Sequence, residues 1–194
     1  MKHLIIFLSL GLSFALLPLK VFAAGHYQID STVSTVSFAT IKKQYILEPA
    51  VITGLFGSLD ESGSLLVAIP VSNIDTGVPI RNERLGELFF NVADFPQVTV
   101  QATIPTELLS SDSVVTQTTV SASVTMYGKT QDIEFSLNVV RVGDVISVSS
   151  SKPVIIDGAS FGIPTESLAA LSNTVGDIAI STSVAASVSL VLTK

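Results

Sequence analysis

The chain contains no cysteine. That excludes a disulfide framework, a thiol nucleophile, a cysteine-bound zinc and a lipid-modified cysteine at the start of a mature chain. Histidine is nearly as scarce, with two in 194 residues. His3 lies in a leader described below, which leaves His26 near a frayed terminus. A Ser-His-Asp relay or a histidine metal centre would have to be assembled almost from nothing. Tryptophan is absent and there are three tyrosines, too few for the two aromatic girdles of a membrane-spanning barrel. Lysine and arginine total 10 against 16 acidic residues, and Lys42-Lys43 is the only adjacent basic pair. Without a cationic face for phosphates, a nucleic-acid partner is excluded. No glycine-rich loop opens a helix to cradle a nucleotide.

What is present begins with a leader. Met1-Lys2-His3 gives a positive start, residues 4–17 are apolar, and Val21-Phe22-Ala23 places small residues at a cleavage site. This is the pattern of a secretory signal peptide over residues 1–23. Lys20 cuts the apolar run short of the ~20 residues a spanning helix needs. Its removal takes away Lys2 and Lys20 and no acid, leaving 8 basic and 16 acidic residues, a charge of −8. Residues 24–194 then form one domain, long enough to build a core without staples. The expectation is an exported, freely soluble protein with no stable membrane insertion.

The body of the domain alternates apolar and small polar residues, the period of a half-buried strand. Residues 35–41 make the first clear strand, with Val36 and Phe38 on one face. Residues 50–59 are broken by Gly54 and Gly57, a bend where a sheet curls. Asp60-Glu61-Ser62-Gly63 reads as a hairpin turn into a strand lined by Leu65, Val67, Ile69 and Val71. Residues 98–104 alternate most cleanly. Residues 119–126 and 133–141 pair about Tyr127-Gly128-Lys129, and residues 145–151 and 153–156 follow. Thr165 is expected to cap a short helix bearing Leu168 and Leu171, and residues 177–192 to close the chain as one long strand or two.

The alternation stops between Ile74 and Pro96. Asp75, Thr76, Gly77 and Pro79 form turns, and Leu85, Leu88 and Phe89 recur at helical spacing, opposite Asn82, Glu83 and Glu87. Three phenylalanines, Phe89, Phe90 and Phe95, crowd this insert. A compact plug of this kind suits the end of an antiparallel barrel. The fold class is therefore all-β: an antiparallel, lipocalin-like β-barrel of about eight strands with two short helical inserts.

A barrel of that size either fills its interior or encloses one ligand. The candidate lining is Val36, Phe38, Val67, Ile69, Phe89, Phe90, Phe95, Val98, Val100, Val124, Phe135, Leu137 and Phe161. These side chains could fill a core, but most are small, which leaves room for a tube. Arg81 and Arg84 have two readings: they pin the plug through Asp75, Glu83 or Glu87, or they meet a polar headgroup at the mouth. No catalytic or metal-binding set emerges, so the chain reads as a non-enzyme.

Several motifs together resemble the YceI-like family of polyisoprenoid-binding proteins. They are Tyr27-x-Ile29-Asp30, Val36-x-Phe38, Gly54 and Gly57, Ile74-Asp75-Thr76-Gly77, Arg81-Asn82-Glu83-Arg84-Leu85, Phe89-Phe90, Phe95-Pro96, Gly128-Lys129-Thr130 and Phe161-Gly162-Ile163. The similarity runs over about residues 25–192. It implies a lipocalin-like barrel in the bacterial periplasm that binds a long isoprenoid lipid, a polyprenyl chain or quinone, for transport or storage. No other cofactor is implied. The sequence departs from many members in having no histidine in its first strand and Lys42-Lys43 at that strand's end. A structural or adhesive β-domain acting through protein contacts is the other reading, and a homodimer is compatible with both.

Overall fold

A computed structural model describes residues 27–110 and 113–194. The expected leader, residues 1–23, and His26 lie outside the described residues. The chain runs through β1 (Tyr27–Ile29), β2 (Thr35–Lys42), β3 (Ile46–Ile52), β4 (Phe56–Leu59), β5 (Ser64–Pro70) and β6 (Ile74–Asp75). An insert follows: α1 (Pro79–Arg84), continued by a π-helical turn, Leu85–Phe90. Next come β7 (Gln97–Thr103), α2 (Glu107–Ser110), β8 (Ser113–Met126), β9 (Lys129–Val142), β10 (Val145–Ser150) and β11 (Val154–Asp157). A 3-10 turn (Gly158–Phe161), α3 (Thr165–Asn173) and β12 (Ser183–Thr193) complete the chain.

Every pairing is antiparallel, and each stave neighbours the next in sequence. The ring runs β1–β4–β5–β7–β8–β9–β10–β12 and closes through β12 on β1, a closed barrel of eight strands among the described residues. Three staves are broken strands. β2 continues β1 along β12, β3 continues β4 and pairs with β6, and β11 continues β10 along β12. Such a meander can be joined by hairpins, and the two long connections, residues 71–96 and 158–182, carry the inserts.

The breaks have local causes. Between β3 and β4, Gly54 takes φ 71° and Gly57 φ 150°; a Cβ on Gly57 would lie 2.0 Å from the Leu66 carbonyl oxygen. Only glycine fits that crossing. Between β1 and β2, Ser34 is fully buried, and its hydroxyl accepts from the Val191 N–H at 3.0 Å. Between β10 and β11, the Ser150 hydroxyl accepts from the Val188 N–H at 2.9 Å. Two serines thus replace missing ladder bonds on either side of β12, where an orphaned buried N–H would cost ~1–3 kcal/mol.

Strand alternation sorts the two faces. On β8, Val120, Ala122, Val124 and Met126 are buried while Ser113, Gln117, Thr119 and Ser121 are exposed. On β9, Leu137 and Val139 point inward and Asn138 outward. Among the described residues, no helix is long and apolar enough to cross a membrane.

Three expectations change. The closing strand begins at Ser183; the segment before it turns, touching β2 through a bridge between Lys42 and Ile180. Thr165 is the first residue of α3 rather than its cap, because Pro164 holds the N-cap position and no side chain caps the helix. The insert is not one α-helix. Its i→i+5 turn sets residues four and five apart on one face, so Phe89 and Phe90 join Leu85 on the inner side in place of Leu88.

Candidate functional site

The inward faces of the staves enclose a cavity of about 250 Å³. Twelve of the thirteen residues expected to line it do so: Val36, Phe38, Val67, Ile69, Phe89, Phe90, Val98, Val100, Val124, Phe135, Leu137 and Phe161. Phe95 does not. It leaves the insert after the left-handed Asn91 and stacks on Tyr127 outside the lining, ring centroids 4.2 Å apart. Unforeseen members come from the closing strands, such as Ile146 and Val148 of β10 and Val188, Leu190 and Leu192 of β12. Their alternation was a usable signal. Among the described residues of the lining none is charged, and the polar ones are threonines and serines such as Thr40, Thr118, Ser181 and Thr182.

The insert and the 3-10 turn roof one end. Phe89 and Phe90 meet edge to face with centroids 5.0 Å apart. Gly158 makes the roof possible: a Cβ there would stand 3.2 Å from Phe89 Cζ and 3.4 Å from Ile163 Cδ1. Asp157 caps this turn, accepting from the Ser160 N–H and hydroxyl, each at 3.0 Å, and from the Ser183 hydroxyl at 3.1 Å. Hydrogen bonding, first from the Thr182 side chain and then from Ser160, holds its pKa below the ordinary carboxylate value.

Beside the roof lies a second pocket of about 160 Å³ between the β2–β3 hairpin, α1 and the end of α3, mainly apolar in surface but with charged side chains in its lining. It shares Thr40, Leu85, Leu171 and Ile180 with the main cavity. The two arginines singled out in the sequence are both here, with Lys42 and Glu48. Arg81 does not bond the acids of its own insert. Its Nη2 donates to Glu48 Oε1 of β3 at 2.9 Å, while Lys42 Nζ lies 2.6 Å from Glu48 Oε2. Glu48 sits 33 residues away in sequence, so no local pattern announced it. Arg84 Nη1 donates to the Thr174 carbonyl at 3.3 Å. Asp75 bonds locally, to the Gly77 N–H at 2.8 Å, while Asn82 accepts from the Thr76 N–H at 2.9 Å. These bonds fix the turn from which α1 starts, with Pro79 at its first position.

The opposite end holds a group that sequence reading left unassigned. Arg141 follows the inward parity of Leu137 and Val139 and is buried. Its Nη1 donates to the Leu109 carbonyl of α2, its Nε to the Gly143 carbonyl at 3.2 Å, and its guanidinium stands 5.7 Å from the Tyr27 ring centre. This arrangement stops the barrel; Arg141 does not line the cavity.

Among the described residues no group of three or more His, Cys, Asp or Glu is arranged to hold a metal. The geometry offers a greasy interior, an aromatic roof and an adjoining cationic pocket, which suit an elongated apolar ligand with a polar end.

Comparison with known proteins agrees with this geometry. A polyisoprenoid binding domain from Saccharophagus degradans, implicated in plant cell wall breakdown, is similar with a TM-score of 0.81 and 25% identity, over 87% of this chain and 98% of that one. BcnA from Burkholderia cenocepacia shares the fold, with a TM-score of 0.60 and 16% identity over 84% of this chain and 98% of its own. No curated protein matches. The YceI-like domain matches residues 27–192, from the first strand of the ring to the strand that closes it, and the chain belongs to that family.

Proposed function

We propose that the protein binds a long isoprenoid lipid, a polyprenyl chain or an isoprenoid quinone, in the barrel and carries or stores it without making a bond. The observation that carries the reading is the cavity: its lining is apolar and uncharged, in a chain similar to a polyisoprenoid binding domain. Each buried carbon gains ~0.8 kcal/mol, so a five-carbon unit gains about 4 kcal/mol before the cost of ordering the tail. No charge inside competes for the ligand, so the polar end belongs in the adjoining pocket. Arg81 is committed to Glu48, which makes Arg84 the better-placed guanidinium for a headgroup. The leader expected in residues 1–23 supports a periplasmic location. A purely structural or adhesive domain would have no use for an open interior, and the cavity counts against it.

The test is organic extraction of the protein purified from its native host, followed by mass spectrometry. A stoichiometric isoprenoid is the expected result. A protein that copurifies with no lipid, and takes up neither a polyprenol nor a quinone from detergent micelles, would end this reading.

A further inference from the structure

We propose that the roofed end of the barrel docks on an anionic lipid bilayer through the β2–β3 hairpin and the start of α1. This rests on the lipid-carrier reading, since a ligand of that kind resides in membranes. The hairpin tip exposes Tyr45 (79%), Leu47 (66%) and Ile46 (41%), and the start of α1 exposes Ile80 (49%) and Val78 (37%). Such side chains are costly in water and gain by entering the headgroup boundary, where tyrosine and lysine also keep their polar ends wet.

The face is continuous with the cavity. Val78 and Ile80 line the second pocket with Lys42 and Arg81, and that pocket shares four residues with the main cavity. The hairpin is tied to the same region, because Lys43 donates its N–H to the Ala179 carbonyl at 2.9 Å, next to the bridge between Lys42 and Ile180. Charge on this face is balanced, four cations against Glu48, Asp75, Glu83 and Glu87, in a chain that is acidic as a whole. Lys42, Lys43, Arg81 and Arg84 are four of the eight lysines and arginines among the described residues, in a chain of net charge −6. Glu48 is held between Lys42 and Arg81. Asp75, Glu83 and Glu87 stand on the same insert, so the apolar side chains supply most of the attraction and Lys43 a smaller part. A separate exposed apolar group, Val115, Val140, Val142 and Val145, lies on β8–β10 at the opposite end of the barrel. It gives an internal control.

The experiment measures sedimentation of the protein with vesicles of phosphatidylethanolamine and phosphatidylglycerol. It is paired with transfer of an isoprenoid quinone to the protein from those vesicles and, separately, from detergent micelles. Wild type should bind the vesicles. The double variant Tyr45→Ser/Leu47→Ser, whose residues line neither pocket, should bind about tenfold more weakly or worse. Lys43→Glu should lose about fivefold, and Val115→Ser should behave as wild type. All these residues are exposed, and unchanged melting of the variants checks that they fold. The double variant should fill from micelles like wild type but slowly from vesicles. Wild type that stays in solution, or a double variant that binds and fills from vesicles as well as wild type, would overturn the proposal. Vesicle binding with no quinone uptake from either source would instead remove the lipid-carrier reading and leave the docking face standing.

Discussion

The two ends of the barrel are built from the same strands by different means. At the end formed by β1, β4, β10 and the last residues of β12, the ladder passes unbroken from strand to strand. Tyr27, Leu59 and Leu192 are buried there, and Arg141 ties α2 across the opening. At the other end the wall divides. β11 pairs only with β12, and the first half of β3 pairs only with β2, with Pro49 on its unpaired edge. Helical segments fill these gaps with aromatic rings inside and charged side chains outside. Where hydrogen bonds run on both sides of every strand, the barrel is simply closed. Where they stop, side chains fill the gap, and the residues proposed to meet the ligand collect there.

If the ends divide labour in this way, damage to the closed end should cost stability and leave selectivity alone. Arg141→Ala leaves the Leu109 and Gly143 carbonyls without their donor. Both bonds come from a charged donor, worth ~1.5–3 kcal/mol each at most where water can reach the acceptors, so the loss in urea unfolding should be about 3 kcal/mol. The chain length of bound lipid should not change. A variant of normal stability, or one with altered lipid preference, would break the comparison.

The roof should respond the other way. Phe90 is only half-buried, so Phe90→Ala should cost about 2 kcal/mol, below the range for a fully buried phenylalanine. It should also widen the cavity at the roof, shifting the lipids retained toward longer or bulkier chains in competition binding read by mass spectrometry. The same measurement on Phe95→Ala should show no shift, since Phe95 packs on Tyr127 outside the lining.

That contrast between Phe90 and Phe95 marks what the sequence made legible. Alternation is a local code, and it placed Val67, Val98, Val124 and Leu137 on the inner face without knowledge of their partners. It failed where the backbone left the regular period. A π-helical turn spaced Leu85, Phe89 and Phe90 in a way no α-helical reading contains, and a left-handed Asn91 turned Phe95 away. It was also blind to long-range polar pairs. Glu48 meeting Arg81, Ser34 meeting Val191 and Arg141 meeting Leu109 depend on how distant segments meet once the ring has closed. Arg141 shares the parity of Leu137 and Val139, a local signal the sequence reading did not take up, and nothing local announced the two carbonyls that meet it.

A smaller effect is expected at the ion pair beside the roof. Arg81, Glu48 and Lys42 are each about one-fifth exposed, and Lys42 still holds Glu48 when Arg81 is removed. Arg81→Ala should therefore lower stability by about 1 kcal/mol at most, equally with and without lipid. Arg84→Ala should cost the empty barrel only its long bond to the Thr174 carbonyl, about 1 kcal/mol, and weaken binding of a phosphate- or quinone-bearing lipid by a further ~1.5–3 kcal/mol, the worth of a hydrogen bond to a charged group. Equal weakening for a headless hydrocarbon would show that Arg84 only shapes the pocket.

The smallest effect concerns acid. Asp157 holds the 3-10 turn that carries Gly158 and Phe161 into the roof, and hydrogen bonds from Thr182, Ser160 and Ser183 depress its pKa. A carboxylate with a depressed folded pKa contributes its stability fully above its unfolded value, here 3.8. That contribution is lost as the pH falls through the lower folded value. The roof should thus be tight at neutral pH and begin to loosen only below the ordinary carboxylate range, as faster amide exchange at Ser160 and earlier release of bound lipid. Asp157→Asn keeps an acceptor for the Ser160 N–H but cannot titrate. It should be slightly less stable than wild type at neutral pH, and the gap should narrow as acid protonates the wild-type carboxyl. The closed end has an ion pair, Lys194 with Asp144 at 3.1 Å, but Asp144 is 72% exposed and the pair lies outside the cavity lining. Breaking it with Asp144→Asn should leave lipid release unchanged at every pH. If that substitution alters release as much as Asp157→Asn does, the two ends do not divide the work as described.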